Sequence, residues 1–259
     1  TLTDIVNNEN KVQSKEALAE VKYELNELKS MLTRQEIAIK EISNGLKSLE
    51  PGLIFHSDVV QAVATTKIDF HNLGVQSAAL SGHKIGGPKG IGFMFLSSEV
   101  KVPSFFHGGK QELERRAGTV NVSGVASLSA ALDEQQKNIT KQNQNILKER
   151  TDFEEMIKHS LDVMVVGDSV KRLEHISNIQ FKNIHSETLM VALDLQGLGV
   201  SRGSACASGA QRPSHVLQAM KVSNDKINSH LRFSFGWNTQ VGDGIKAAKI
   251  VLSSIEGMK

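Results

Sequence analysis

Apolar positions fall into two regimes along the chain, with the break near residue 51. In the first, Leu18, Val21, Leu25, Leu28, Leu32, Gln35, Ile39, Ile42, Leu46 and Leu49 alternate spacings of three and four. That spacing returns to one helix face every seven residues, giving a five-heptad seam that is apolar at all but Gln35. Glu and Lys fill most positions between, as the solvated side of a helix requires. The register predicts a coiled coil in preference to one amphipathic helix of a globular domain, with Gln35 weakening the seam while fixing its register or strand number. Pro51 and Gly52 predict the end of that helix.

From Leu53 the pattern changes to short apolar runs separated by glycines and by helical periodicity, the mark of an α/β fold. Strands are expected at 53–55, 78–80 and 91–96, then a long helix over 122–160 that is polar in its middle. Further strands are expected at 163–166, 176–181 and 230–235, covered by helices near 186–195, 212–220 and 241–255. The predicted organisation is a helical segment at 1–51, part of a large α/β domain at 52–122, and a smaller α+β domain at 123–259.

Composition narrows the function classes. The net charge of +2, one Trp and one Tyr leave neither a basic footprint nor a stacking surface for nucleic acid. No apolar run is long enough to span a bilayer and no charged-then-apolar leader opens the chain, so no membrane partner is expected. The single cysteine, Cys206, excludes an intrachain disulfide and a multi-cysteine metal site, and fits a reducing, cytoplasmic location.

Four segments carry chemistry. Residues 81–92 read Ser-Gly-His-Lys-Ile-Gly-Gly-Pro-Lys-Gly-Ile-Gly, straight after the apolar run Ala78-Ala79-Leu80. A strand end holds side chains steadily and glycines admit a bulky ligand to the backbone. A lysine there can be desolvated and attack a carbonyl, with Ser81 and His83 placed to hold a phosphate; the plainer reading is a surface turn with a solvated lysine. Phe55-His56-Ser57-Asp58-Val59-Val60-Gln61 offers a carboxylate that can hold a proton on a pyridine nitrogen, or merely cap a helix. Cys206 lies in Ser201-Arg202-Gly203-Ser204-Ala205-Cys206-Ala207-Ser208-Gly209-Ala210, a run without an apolar stripe, which favours an exposed loop cysteine over a buried small hydrophobe. Arg232, in His-Leu-Arg-Phe-Ser-Phe-Gly, has the planar fork that grips a carboxylate, or else makes a surface ion pair.

Taken together, these segments strongly resemble the NifS/IscS-like cysteine desulfurases of the class V aminotransferase family, fold-type I enzymes, and the likeness runs over nearly all of residues 52–255. The resemblance implies a partial pyridoxal-phosphate-dependent transferase fold, with pyridoxal 5'-phosphate as cofactor and L-cysteine as substrate. It places Lys84 in the Schiff-base bond to the cofactor, Ser81 and His83 on its phosphate, Asp58 on the ring nitrogen, Gln61 on the ring hydroxyl, and Arg232 on the substrate carboxylate. Cys206 becomes the nucleophile that takes the sulfur as a persulfide for a separate sulfur-acceptor protein, in iron–sulfur assembly or tRNA thiolation. Thr119, in Arg115-Arg116-Ala117-Gly118-Thr119, reaches the phosphate of the neighbouring subunit's cofactor, which implies a homodimer. Arg202 departs from the Ser or Thr usual at its place. The other histidines, His159 and His185 among them, are expected to be structural or exposed.

The resemblance also defines what is not found. The family's first large-domain strands, its glycine–threonine phosphate loop, its ring-stacking histidine and its asparagine near the ring hydroxyl have no secure counterparts in residues 1–51; Val6-Asn7-Asn8-Glu9 echoes the asparagine motif at too long a distance from Asp58. A desulfurase segment fused to a coiled coil, one half of a split enzyme completed by a partner chain, or the remnant of a longer chain would each account for this. A non-catalytic coiled-coil assembly module and a selenocysteine lyase are the rival functional expectations.

Overall fold

The computed structural model describes residues 41–46, 48, 50, 52–170, 172–203 and 214–258. The seam positions 18–39 and 49, and with them the coiled-coil expectation, lie outside the described residues. Of the seam, Ile42 is exposed within a helical stretch at 41–46, whereas its neighbour Ser43 is buried and donates from Oγ to the Gly74 carbonyl at 2.7 Å. The chain divides into two compact units between Lys137 and Asn138.

The first unit holds a three-stranded sheet in the order β1 (His56–Asp58), β2 (Ser77–Ser81), β3 (Gly92–Leu96), with β1 parallel and β3 antiparallel to β2. The strand expected at 53–55 instead begins at His56. Leu53 and Ile54 are exposed, and the ladder forms where a polar His-Ser-Asp run can lie against Ser77, Ala78 and Ala79, so pairing outweighs local apolarity. Between β1 and β2, a short helix α1 (Phe70–Leu73) is capped by Asp69, whose carboxylate accepts from the His71 and Asn72 amides. The core gathers Val59, Val63, Leu73, Val75, Ala78, Leu80, Ile85 and Leu128, with Phe93 and Phe95 packed against it and Phe70 stacked on Phe95 at 4.9 Å.

Helix α2 (Val122–Ser160) has the expected bounds. Asn121 starts it, its Oδ1 accepting from the Gly124 amide at 3.0 Å. The helix runs through the division and supplies Leu128 to the first core and Phe153 and Ile157 to the second.

In the second unit, β4 (Val163–Val165), β5 (Ile176–Phe181) and β6 (His230–Ser234) form an antiparallel sheet in that order. Helices α3 (Ser186–Leu195), α4 (His215–Ala219), α5 (Asn224–Ile227) and α6 (Asp243–Glu256) complete it. Ile179, Phe181, Leu231 and Phe233 face Phe153, Ile157, Leu189, Leu193, Val251 and Ile255 in one apolar core. Glu149 of α2 is wholly buried, and its Oε2 accepts from the Gly242 and Gly244 amides at 3.0 and 2.8 Å, capping α6 from another helix. A Cβ at Gly244 would stand 2.0 Å from the Glu149 carbonyl oxygen, so only glycine allows this approach. Glu154, also buried, takes both forks of Arg172 at 2.7 and 2.5 Å and tethers the 166–176 connection to α2.

Two histidines of this unit are withdrawn from water. His230 is fully buried and shares a 2.8 Å hydrogen bond between Nδ1 and Asn178 Oδ1; burial lowers its pKa from the ordinary 6.5, and burial does the same to His175. A lowered folded-state pKa means the unfolded chain takes up these protons first, so this stability is complete above 6.5 and is lost as pH falls from there toward the folded-state values. The urea midpoint reported by the fluorescence of Trp237, the only tryptophan, is expected to drop between pH 7.5 and 5.5, and to drop less in His230→Gln. An acid midpoint equal to the neutral one would contradict this.

Candidate active site

Side-chain alternation along β2 creates a polar face. Ala78 and Leu80 point into the core, 1% and 6% exposed, so Ser77, Ala79 and Ser81 point the other way. The parallel register sets His56 beside Ser77 and Asp58 beside Ala79, while the antiparallel one sets Leu96, Met94 and Gly92 beside Ser77, Ala79 and Ser81. One face therefore carries, in order along β2, a His56–Ser77 pair, an Asp58–Ala79 pair, and Ser81 at the strand end.

Ser81 passes directly into a single 3₁₀ turn (Gly82–Ile85) that displays His83 and Lys84 while Ile85 anchors it in the core. Ser81 Oγ and His83 Nδ1 lie 2.8 Å apart. Gly86 closes the turn at φ +82°, a left-handed conformation that favours glycine, and Gly87 donates to the Gly82 carbonyl at 2.9 Å. Gly92 is fixed by space, since a Cβ there would stand 2.3 Å from the Leu80 carbonyl oxygen. The glycine-rich sequence is thus the geometry that presents Lys84 at the strand end.

Asp58 is exposed at the end of β1; its Oδ1 accepts from the Val60 amide at 2.9 Å. Val59 and Val63 bury themselves on either side of the following turn, leaving Gln61 facing solvent. Thr119 is exposed on the loop before α2, where the Gly118 amide donates to Gln111 Oε1 at 3.2 Å and the Arg116 guanidinium lies 5.4 Å from the centre of the Phe106 ring.

In the second unit, Arg232 lies mid-strand on the face of β5 and β6 opposite the core, beside Asn178. Ser201 exchanges backbone hydrogen bonds with it, at 2.7 and 3.1 Å. Arg232 Nε is buried and finds no hydrogen-bond partner among the described residues, a costly state for a guanidinium. Arg202 reaches Ser186 Oγ at 3.0 Å and Glu187 Oε2 at 3.1 Å, so its departure from Ser or Thr ties the loop to the start of α3. Cys206 lies outside the described residues. His159 and His185 are exposed. Among the described residues, no helix is long and apolar enough to cross a membrane. His56 and Ser77, paired at 2.9 Å, lie on the same face as Asp58, a placement that the two-residue spacing of His56 from Asp58 gives only once β1 is set at 56–58.

Comparison with known proteins shows the family of the chain. The family model "Aminotransferase class-V" matches residues 28–244. A putative cysteine desulfurase IscS 1 of Bacillus subtilis (strain 168) is 37% identical over 220 residues, covering 84% of this chain and 58% of that protein. The X-ray structure of a NifS-like protein from Rickettsia africae ESF-5 superimposes with a TM-score of 0.70 at 30% identity, over 85% of this chain and 56% of that one. SspA in complex with cysteine matches with a TM-score of 0.57 at 26% identity, over 76% of this chain and 54% of that one. The chain spans about half the length of the curated relatives it matches.

Gly92→Ala is expected to cost the first unit on the order of 2 kcal/mol or more, because the Leu80 carbonyl is backbone and cannot yield without opening the β2–β3 ladder. Faster hydrogen exchange at the amides of residues 77–81 and 92–96 would report it. Wild-type exchange in the variant would contradict the packing described.

Proposed function

Because the chain belongs to the aminotransferase class-V family, we propose that it is the lysine- and cysteine-bearing part of a pyridoxal-phosphate-dependent cysteine desulfurase, converting L-cysteine to L-alanine with the sulfur left on Cys206. The observation that carries this reading is the order of groups at β2: Ser81 and His83 paired at the strand end, Lys84 displayed beside them, and Asp58 on the shared polar face. The buried Nε of Arg232, without a partner among the described residues, is compatible with it from the second unit, since it leaves a donor of the planar fork unused, as is also true of Arg150 Nε.

The residues present fit the cofactor. Ser81 and His83 would offer donors to a phosphate, Asp58, whose Oδ1 accepts from the Val60 amide, would hold the proton on the ring nitrogen, and the Gln61 amide would donate to the ring hydroxyl oxygen. When bound, pyridoxal phosphate supplies an electron sink conjugated to the substrate's amino group. Lys84 would hold the cofactor through its amine and, with that amine free, would move a proton at Nζ. Arg232 fixes the substrate carboxylate through two parallel hydrogen bonds, which orients the remaining bonds of the amino acid. The Cys206 thiolate attacks the substrate sulfur: the S–S bond forms as the substrate's Cβ–S bond breaks, and a proton returned to carbon leaves alanine.

The same reading makes residues 52–122 part of the large cofactor domain and 123–259 the small domain, and places the protein in the cytoplasm. It passes sulfur from Cys206 to an acceptor protein of iron–sulfur assembly or tRNA thiolation. A homodimer, with Thr119 of one copy reaching the other's phosphate, is supported by the exposure of Phe105, Phe106 and Leu113 on the same connection, 87%, 55% and 85%.

Purified chain supplied with pyridoxal phosphate and L-cysteine is expected to release alanine, with sulfide on adding a thiol reductant. Lys84→Ala should lower the rate by at least about a hundredfold. Cys206→Ala should abolish protein-bound persulfide while leaving the cofactor's visible band. Alanine release undiminished in Lys84→Ala, or a bound-cofactor band unchanged in that variant, would overturn the reading.

A further inference from the structure

We propose that His56, held by Ser77, is a positioning residue for Asp58 and through it for the cofactor ring; this rests on the cofactor reading of the first unit. Neither residue belongs to the apolar core. The strand β1 is only His56–Asp58, with the two outer residues exposed on the polar face and Ser57 turned the other way. A strand places residues two apart on one face about 7 Å from each other, within reach of an imidazole. His56 is not free to wander: its Nδ1 lies 2.9 Å from Ser77 Oγ, its register partner on β2.

Ser77 is itself nearly buried, 5% exposed, so its hydroxyl is a fixed anchor. The order along β2 then gives the pair its meaning. Phosphate-side groups stand at Ser81, Asp58 stands level with Ala79, and the His56–Ser77 pair stands level with the opposite end of the strand. The pair thus borders Asp58 on the side away from the phosphate. The Asp58 carboxylate is restrained at one oxygen by the Val60 amide, which leaves rotation about its own axis to be limited by its neighbour on the face. An anchored imidazole there holds the second oxygen toward the ring nitrogen, as outer partners orient the ligands of other cofactor sites.

The test titrates full-length chain with pyridoxal phosphate and reads two quantities, the dissociation constant and the pH midpoint of the bound cofactor's visible band, in wild type, His56→Ala, His56→Gln, Ser77→Ala and Asp58→Asn. His56→Ala is expected to weaken binding roughly 2- to 10-fold and to move the pH midpoint in the same direction as Asp58→Asn, part of the way. Ser77→Ala should move it the same way, and His56→Gln, which can still hydrogen-bond to Ser77, should recover most of the wild-type midpoint. A His56→Ala midpoint equal to wild type, while Asp58→Asn shifts it, overturns the inference and leaves the cofactor reading standing. So does a loss of urea stability in His56→Ala without any shift of the midpoint, which marks a structural role only. If His56→Ala does not fold, Ser77→Ala decides by the same criterion. An Asp58→Asn chain indistinguishable from wild type, or a wild-type chain that binds no cofactor, is instead the failure of the cofactor reading, and the inference falls with it.

Discussion

Burying Ala78 and Leu80 forces Ser77, Ala79 and Ser81 onto the opposite face of β2, and the proposed chemistry of the first unit follows from that alternation. A slip of one residue would turn the serines inward and present Ala78 and Leu80 to the cofactor. The register is pinned from both sides: Asp58 aligns with Ala79 on β1 and Gly92 with Ser81 on β3, where no larger residue than glycine clears the Leu80 carbonyl. Ile85, buried just past Lys84, then prevents the lysine-bearing turn from lifting away. The site is thus a consequence of core packing on the other side of a single strand.

The second unit is built on a different balance. Its core is apolar, yet α2 brings into it two buried carboxylates, Glu149 and Glu154, each hydrogen-bonded by a segment remote in sequence, Glu149 through Oε2 alone. Glu149 caps α6 and Glu154 grips Arg172, so one helix fixes the connections on both sides of the sheet that carries Arg232. Removing one partner of such a buried pair is costly, whereas the pair itself adds little, so its effect is to specify where loops sit. Arg232 Nε is one of several buried polar atoms of this unit without a partner among the described residues, with Arg150 Nε and His230 Nε2 among the others, and it is the one to which the proposed function assigns a ligand from outside the chain.

Much of this was legible in the sequence, for identifiable reasons. The bounds expected for α2, β5 and α3 coincide with those observed, because each is a clean run of one periodicity bounded by polar or turn residues. The strand placed at 53–55 was not, since the true pairing residues His56, Ser57 and Asp58 are polar and only the partner strand shows that they pair. That shift by itself concealed His56. Helices α1 and α5 are too short to show a period. The contacts of Glu149 with Gly242 and Gly244 join positions too far apart for any local pattern to reveal. Lys84, Ser81, His83 and Arg232 could be named as candidates because their segments resemble a known family's, whereas the Ser81–His83 contact and the burial of Arg232 Nε depend on folding and are not written in any local pattern.

In the proposed site Lys84 alone is placed for covalent attachment of the cofactor, while other exposed lysines on the same unit, such as Lys67, Lys89 and Lys101, stay unmodified. Treating the full chain with stoichiometric pyridoxal phosphate, reducing with borohydride and mapping the modified peptides by mass tests it most directly. The account predicts a single stable adduct on the peptide containing Lys84. Adducts spread over Lys67, Lys89 and Lys101, or none on Lys84, would contradict it.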